Sequence, residues 1–354
     1  KLRTWNVYGR CIMNHFIKQS PITGLAGFGG GSSGLTVSGS AAGPVWYGNR
    51  VTVGGGYWNN GSGQAYTSVD ISYYDITTSS NAADFGDMSR TNRPMDARAS
   101  NGVRGVHCGG YSAATGTEDD VIDYITFATT SNATDFGDMT QVSTWVGGSD
   151  GSRAVIQGAH CNPCGSPWYT DTINYFSIDT TGNASDFGNQ DIPRYSMGGC
   201  GEGIYGFSCG GHRPSRTDHV SRLVIQTTGD STGYSELSVP RNNMSSTCGS
   251  TGRVLTSGGY TGSYSDIIDY FETENDSAAS DFGDMIDDLS QAMMANNGTK
   301  ASFNGGYNAG GGAYHLYIQY VDFDTTGNAT DAGDLWTSNS VGIAGSGANS
   351  GNAS

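Results

Sequence analysis

Paired aspartates flanking a glycine are the first residues in this chain whose type and spacing could do chemistry. They stand in NATDFGDMT (Asn132–Thr140), and close copies occur as NAADFGDMS (Asn81–Ser89), NASDFGNQD (Asn183–Asp191) and NATDAGDLW (Asn328–Trp336). Such carboxylates could act as an acid and a base, or grip a hard cation. An enzyme, however, gathers asymmetric residues into one cleft, and these pairs recur along the chain. Asn, Asp, Gly and Thr also favour turns, where their side chains bond nearby backbone and tolerate left-handed conformations. The motif therefore reads as repeated turns, with its aromatic packed between repeats, and no catalytic residue is expected.

Metal chemistry is weakly encoded. DTTGNASD (Asp179–Asp186) and DFDTTGNATD (Asp322–Asp331) offer oxygens for calcium, but Ala128 stands where the next copy has Asp179. Cys161 and Cys164 form a C-x-x-C beside His160 with no second pair nearby, so they read as a loop pair, disulfide-linked or not, rather than a zinc or redox site. No metal and no cofactor is expected. Cys108 and Cys209 occupy the same place in two copies (HCGGY, SCGGH) and read as small buried hydrophobes.

The elements that carry these residues follow from repetition. The aromatic position of the Asp-Phe-Gly-Asp motif falls at Phe85, Phe136, Phe187, Tyr234, Phe282 and Ala332, spaced by 51, 51, 47, 48 and 50 residues. A Gly-Gly pair and an aromatic end a second column at Tyr57, Tyr111, His212, Tyr260 and Tyr307, with the variant GAH at His160. A third column is Ile-x-Tyr: Ile71, Ile122, Ile173, Val220, Ile268 and Ile318, each followed two residues later by Tyr or, once, by Arg222. Period-two spacing places these pairs on one strand face, and apolar neighbours such as Ile125 and Phe127 require cover on the other. A small-residue strand (ARASNG, RYSMGG, RNNMSS) precedes each Gly-Gly strand, as close convergence of backbones demands.

Four short strands per ~50 residues make the blade of a β-propeller rather than a coil of a solenoid. The fold expected is all-β, a six-bladed propeller over residues 43–354, preceded by an N-terminal arm and Gly-rich linker at 1–42. Ring closure has two readings. SVGIAGSGANSG (Ser340–Gly351) could pair with the first Gly-Gly strand, or GPVWYGNRV (Gly43–Val51) could fill that slot. The second reading leaves the C-terminal strand surplus or implies seven blades. Six is preferred.

The period and the Gly-Gly-aromatic strand end resemble kelch-like propellers over about residues 43 to 346, although no Trp column follows the glycines. The variant in DYITFATTSNATDFGDM (Asp123–Met139) and YFSIDTTGNASDFGN (Tyr175–Asn189) looks like repeats of bacteriophage virion proteins, particularly from marine and cyanobacterial phages. That likeness implies a non-enzymatic structural protein displayed on the particle, as tail, fibre or capsid decoration. It would be joined to other virion proteins by the arm and could contact host glycan or protein. An extracellular carbohydrate- or protein-binding propeller of a cellular organism, secreted or at the cell surface, is the alternative.

Composition narrows the partners. The chain of 354 residues carries a net charge of −16 and only three lysines (Lys1, Lys18 and Lys300), so it lacks the basic surface that nucleic acid requires. No apolar run reaches the ~18 residues of a membrane span. No signal-peptide pattern is visible and the first residue is Lys1, as in a processed or partial product. A galactose-oxidase-like or sialidase-like enzyme would need a Tyr/His/Cys or Arg/Glu constellation, and none stands out. Binding residues are sought instead where copies differ most, in the loops after Gly-Gly. There Trp58, Trp168 and Tyr169 could stack on sugars, beside His212 and Arg213. The aligned His160 and His212 read as packing residues rather than metal ligands.

Overall fold

The structure is a computed structural model and describes residues 48–59, 65–90, 97–112, 116–161, 168–308, 313–336 and 344–349. The expected N-terminal arm and linker, residues 1–42, lie outside the described residues.

Every regular element among the described residues is a strand, and the strands form six antiparallel sheets. Blade 1 holds β1 (Arg50–Asn59), β2 (Ala65–Thr67), β3 (Asp70–Asp75) and β4 (Ala83–Asp87). Blade 2 holds β5 (Ala97–Ser100), β6 (Arg104–Ser112), β7 (Thr117–Thr126) and β8 (Thr134–Asp138). Blade 3 holds β9 (Trp145–Ser149), β10 (Arg153–Gly158), β11 (Thr172–Ser177) and β12 (Ser185–Asn189). Blade 4 holds β13 (Gly198–Gly201), β14 (Tyr205–Cys209), β15 (His219–Val224) and β16 (Thr232–Glu236). Blade 5 holds β17 (Ser245–Cys248), β18 (Arg253–Ser257), β19 (Ile267–Glu272) and β20 (Ser280–Asp284). Blade 6 holds β21 (Met293–Asn296), β22 (Lys300–Asn308), β23 (Ala313–Asp322) and β24 (Thr330–Asp334). The sheet order in blades 2 to 6 is the expected one: small-residue strand, Gly-Gly strand, Ile-x-Tyr strand, Asp-Phe-Gly-Asp strand.

Blade 1 receives its inner strand from the chain's far end. Strand β25 (Ala344–Asn349) pairs antiparallel with β1, from Val51 opposite Asn349 to Tyr57 opposite Ala344. It also touches β21 and β5, so the six inner strands meet in a closed ring. The C-terminal segment thus fills the slot, and six blades close without a seventh.

The faces between blades hold the core. Phe136 lies between blades 2 and 3 with Ile122 and Phe176, and Phe85 packs with Ile71 of its own blade and Phe127 of the next. Each fully buried ring of this kind contributes about 1.5–3 kcal/mol. Ala332 fills less volume at the closing interface, where Tyr74 of blade 1 is buried instead and donates to Asn304 Oδ1 (2.6 Å) of blade 6.

The Asp-Phe-Gly-Asp motif is a fastening between blades. At all six interfaces a backbone N–H of the following blade's outer loop donates to the motif's last residue, as Ala133 N does to Asp87 O (2.7 Å) and Ala82 N to Asp334 O (2.8 Å). The motif's Asn returns the contact: Asn132 Oδ1 accepts from Asp87 N (3.0 Å), Asn183 from Asp138 N (3.1 Å) and Asn81 from Asp334 N (3.1 Å). The glycine permits this approach. Gly137 has φ +150°, and a Cβ there would stand 2.5 Å from the Gly182 carbonyl of the next blade. The aspartates stay at the exposed rim, where Asp84 Oδ1 accepts its own turn's Gly86 N (3.1 Å).

Two further columns stitch the ring. The Gly-Gly strands of four blades begin with Arg50, Arg104, Arg153 or Arg253, each over the Tyr of its own Ile-x-Tyr strand at 4.5–5.1 Å. Each guanidinium also donates to a carbonyl of the next blade, as Arg253 does to Phe323 O (2.6 Å). Blade 4 reverses the pair: Tyr205 begins the strand and Arg222 takes the Tyr position, 4.3 Å from the Tyr205 ring. Its departure from the repeat is therefore an exchange of partners.

The middle residue of Ile-x-Tyr forms the second column: Ser72, Asp123, Asn174, Ser221, Asp269 and Gln319 are all 0–1% exposed. Each bonds the loop arriving from the preceding blade, as Thr140 N donates to Asn174 Oδ1 (3.0 Å) and Ile286 N to Gln319 Oε1 (2.8 Å). A carboxylate appears where that loop buries an arginine. Asp269 pairs with Arg241 (3.0 Å) and accepts from Ser238 Oγ (2.8 Å), and Asp123 accepts from Ser89 Oγ (2.7 Å) beside Arg90. Blade 4 again exchanges the pair. Ser221 sits in the strand and Asp191 in the loop, near the buried Arg194. Burial alone would raise the Asp191 carboxyl, but hydrogen bonds from His219 and Ser221 and the nearby charges of His219 and Arg194 hold it well below the usual carboxylate range.

Candidate functional site

Loops joining the Gly-Gly strand to the Ile-x-Tyr strand share one end of the propeller with the loops that enter each blade. On this face the six-fold pattern breaks. Blades 2 and 6 extend here as long hairpins, and β2 lengthens the connection in blade 1. Blades 4 and 5 have tight turns instead, pinned by the bridges His212–Arg216 and Tyr260–Tyr264.

An arc of rings runs over blades 3 to 6. Tyr195 lies at its centre, with ring centroids 6.0 Å from His160, 6.4 Å from Tyr169 in a stacked arrangement, and 5.1 Å from His212. Tyr260, Tyr264, Tyr307 and Tyr314 continue it at successive separations of 5.5, 5.7 and 4.8 Å. These side chains are partly exposed, whereas the Phe residues of the blade interfaces are buried. Burial among Tyr307 and Tyr260 raises the Tyr264 phenol above its ordinary value, so it stays a neutral donor at physiological pH. Charged groups border the arc. His160 Nδ1 lies 2.7 Å from the buried Glu118 Oε1, Arg213 stands 6.0 Å from the Tyr169 ring, and Arg216 stands 5.1 Å from the Tyr260 ring.

Of the residues expected to bind, the structure brings Tyr169, His212 and Arg213 into this arc. Trp168 is beside them, 57% exposed and held at φ 48°, a left-handed conformation that a bulky residue rarely adopts. Trp58 lies on β1 opposite Tyr66. His160 and His212 do pack, but against the rings of this face rather than in the core. Cys161 is buried and disulfide-bonded, and Cys164 lies outside the described residues. Tyr195 escaped the sequence reading. It lies in the loop entering blade 4, 17 residues before His212, and only the fold, through an isolated bridge between the two, brings them together.

Next to the arc, the inner strands surround a cavity of about 150 Å³ lined by small residues, Met197, Met244, Met294, Cys200 and Cys248. Ser196, Asn243 and Gln291 also line it, and all three are non-glycine residues at φ 56–59°. They are linked head to tail: Asn243 N donates to Ser196 O and Gln291 N to Asn243 O, each at 2.8 Å. These bonds hold a strained conformation in place across three blades. Among the described residues, no group of three or more His, Cys, Asp or Glu side chains is placed to hold a metal ion.

Glu202 follows β13 at the opposite end of its blade. Burial, and secondarily the charge of Glu274, push its carboxyl up to about 7 from an ordinary 4.5, against the hydrogen bond it accepts from Tyr205 N. Because the folded value is the higher one, the neutral form stabilises the fold at low pH. That contribution is lost as pH rises through about 7. Wild-type stability is therefore expected to fall between about pH 5 and about pH 8, while Glu202→Gln stays flat and is the more stable at the upper value by on the order of 2 kcal/mol. Urea titrations of both proteins across that range check the sign, and a flat wild-type profile would refute it.

No protein-family model matches the chain, and no curated protein resembles it in sequence. Its functional reading therefore rests on the repeat and on this face.

Proposed function

We propose that this chain is a non-enzymatic binding propeller, displayed on a bacteriophage particle, that engages saccharide through the aromatic face of blades 3 to 6. The observation that carries the proposal is the partly exposed arc from Tyr169 through Tyr195 to Tyr307. Tyr169, Tyr195, Tyr264 and Tyr314 stand in connections where copies of the repeat differ, beside the recurring Gly-Gly aromatics His160, His212, Tyr260 and Tyr307. Partly exposed aromatic side chains combine an apolar face with a polar tip and suit ligands that are themselves amphiphilic. The phage setting is supported by the likeness of Asp123–Met139 and Tyr175–Asn189 to virion repeats. Conformational specialisation on this face, as at Trp168 and Ser196, fits a site whose geometry is fixed before the ligand arrives.

The test is glycan-array binding by the full chain. Tyr169→Ala and Trp168→Ala are each expected to weaken retention about tenfold, a change of ~1.4 kcal/mol, with unaltered melting. Equal retention by both variants would overturn the site. Mass spectrometry of purified particles tests the setting: presence supports display on the virion, and absence favours a secreted or cell-surface module. Saccharide turnover by the purified chain would contradict the non-enzymatic role.

A further inference from the structure

We infer that the ligand of this face is an acidic saccharide chain whose carboxylates are held by Arg213 and Arg216. The inference rests on the saccharide reading above and narrows it to one chemical class.

Cations are scarce in this chain, and nearly all are committed to the fold. Among the described residues, every Lys and Arg side chain except Arg213 and Arg216 hydrogen-bonds or ion-pairs with the protein. The two exceptions stand three residues apart in one tight turn of blade 4, closed by Arg213 N to Ser215 O (2.7 Å) and Thr217 N to Gly211 O (3.0 Å). Their guanidinium groups leave that turn in opposite directions. Arg213 lies against Tyr169 of blade 3, and Arg216 against Tyr260 of blade 5. Each ring orients a guanidinium whose N–H donors meet no acceptor among the described residues.

A guanidinium presents paired N–H groups that match a carboxylate bidentately. Two such groups, splayed along an arc of rings rather than turned into one pocket, fit acid groups spaced along a polymer. His212 pairs with Arg216 across an isolated bridge at the base of this turn, and its Nδ1 is buried. The rest of the molecule sets the ionic-strength behaviour. With a net charge of −16, the chain repels a polyanion at long range, so added salt is expected to speed association first. A surface that attracts polyanions by overall charge does the reverse.

Binding of the full chain to polygalacturonate, to its methyl-esterified form and to dextran sulfate tests the inference. Polygalacturonate is expected to bind. Esterification is expected to weaken binding about tenfold or more, and Arg213→Gln with Arg216→Gln about a hundredfold, with melting little changed because neither guanidinium hydrogen-bonds or ion-pairs within the fold. Dextran sulfate is expected to bind less well than the polyuronate. Equal binding of the esterified polymer would overturn the acid-specific reading while leaving the saccharide reading intact. Equal or better binding of dextran sulfate would show charge attraction instead of carboxylate recognition and overturn it too. Failure to retain any glycan, neutral or acidic, would sink the saccharide reading itself.

Discussion

Removal of residues 344–354 is expected to abolish the single cooperative unfolding transition of the propeller. Strand β25 is the inner strand of blade 1, and its loss leaves β1 with an unpaired edge. The backbone pairs lost are worth about 1 kcal/mol each. The inner ring also loses the strand that touches both β21 and β5. Together these losses approach the ~5–15 kcal/mol that holds a whole domain folded. The bare edge of β1 would then recruit other chains, as open sheet edges do. Circular dichroism melts and size-exclusion chromatography read the outcome, with removal of residues 350–354 alone as control. A monomer that melts with the full-length protein would show that the ring does not depend on this strand.

Asp269→Asn is expected to cost about 3–5 kcal/mol, the usual consequence of leaving one member of a buried ion pair alone. Both partners are fully buried. Burial already lowers the pKa of the Arg241 guanidinium, while Asp269 opposes that effect. Asp269 also accepts from the Ser238 hydroxyl and backbone N–H, so the substitution also disturbs the loop joining blades 4 and 5. Blade 4 suggests the rescue. There the serine is in the strand at Ser221 and the acid is in the loop at Asp191, in the positions of Asp269 and Ser238. The double variant Asp269→Ser with Ser238→Asp is therefore expected to recover part of the loss. Recovery stays partial because Asp191 also bonds His219 (2.7 Å), where blade 5 has Ile267. Urea titrations measure both effects, and a loss below about 1 kcal/mol for the single variant would refute the pair's role.

Much of the fold was legible because a propeller repeats its necessities. The aromatic of Asp-Phe-Gly-Asp, the Gly-Gly turn and the Ile-x-Tyr strand recur at one period, and the segment that closes the ring resembled an inner strand in its small residues. The buried polar column was not read. In an ordinary alternating strand, Asp123 or Gln319 would face solvent, whereas here a neighbouring blade's loop covers that side. The arginine column was hidden in a similar way. Arg50, Arg104, Arg153 and Arg253 open the strands whose sequences defined the repeat, but their partners lie in another blade, about 70 residues or more away. Arg222 stood out from the Tyr column because a column read one position at a time cannot show that two positions have traded residues. The binding face was legible in part. Tyr169, His212 and Arg213 stood out in variable loops, whereas Tyr195 needed the fold to bring a different loop beside them.

The joint between β25 and β1 has a consequence for how the chain could be rewired. In blade 6, Asn296 pairs with Ala301 across a turn of residues 297–299. Asn349 pairs with Val51 in the corresponding register, so residues 349 and 50 stand where such a turn would join them. The ring is in effect six hairpin-joined blades with one hairpin cut. A circular permutant that restores this turn and opens instead between β4 and β5 would make every blade continuous in sequence. The closing interface already carries the backbone bond that recurs at the other five, from Ala82 N to Asp334 O, and Asp334 N donates to Asn81 Oδ1 as its counterparts do to an Asn or Asp at four of them. Such a chain would carry its ends at an interface that blades 1 and 2 fasten themselves.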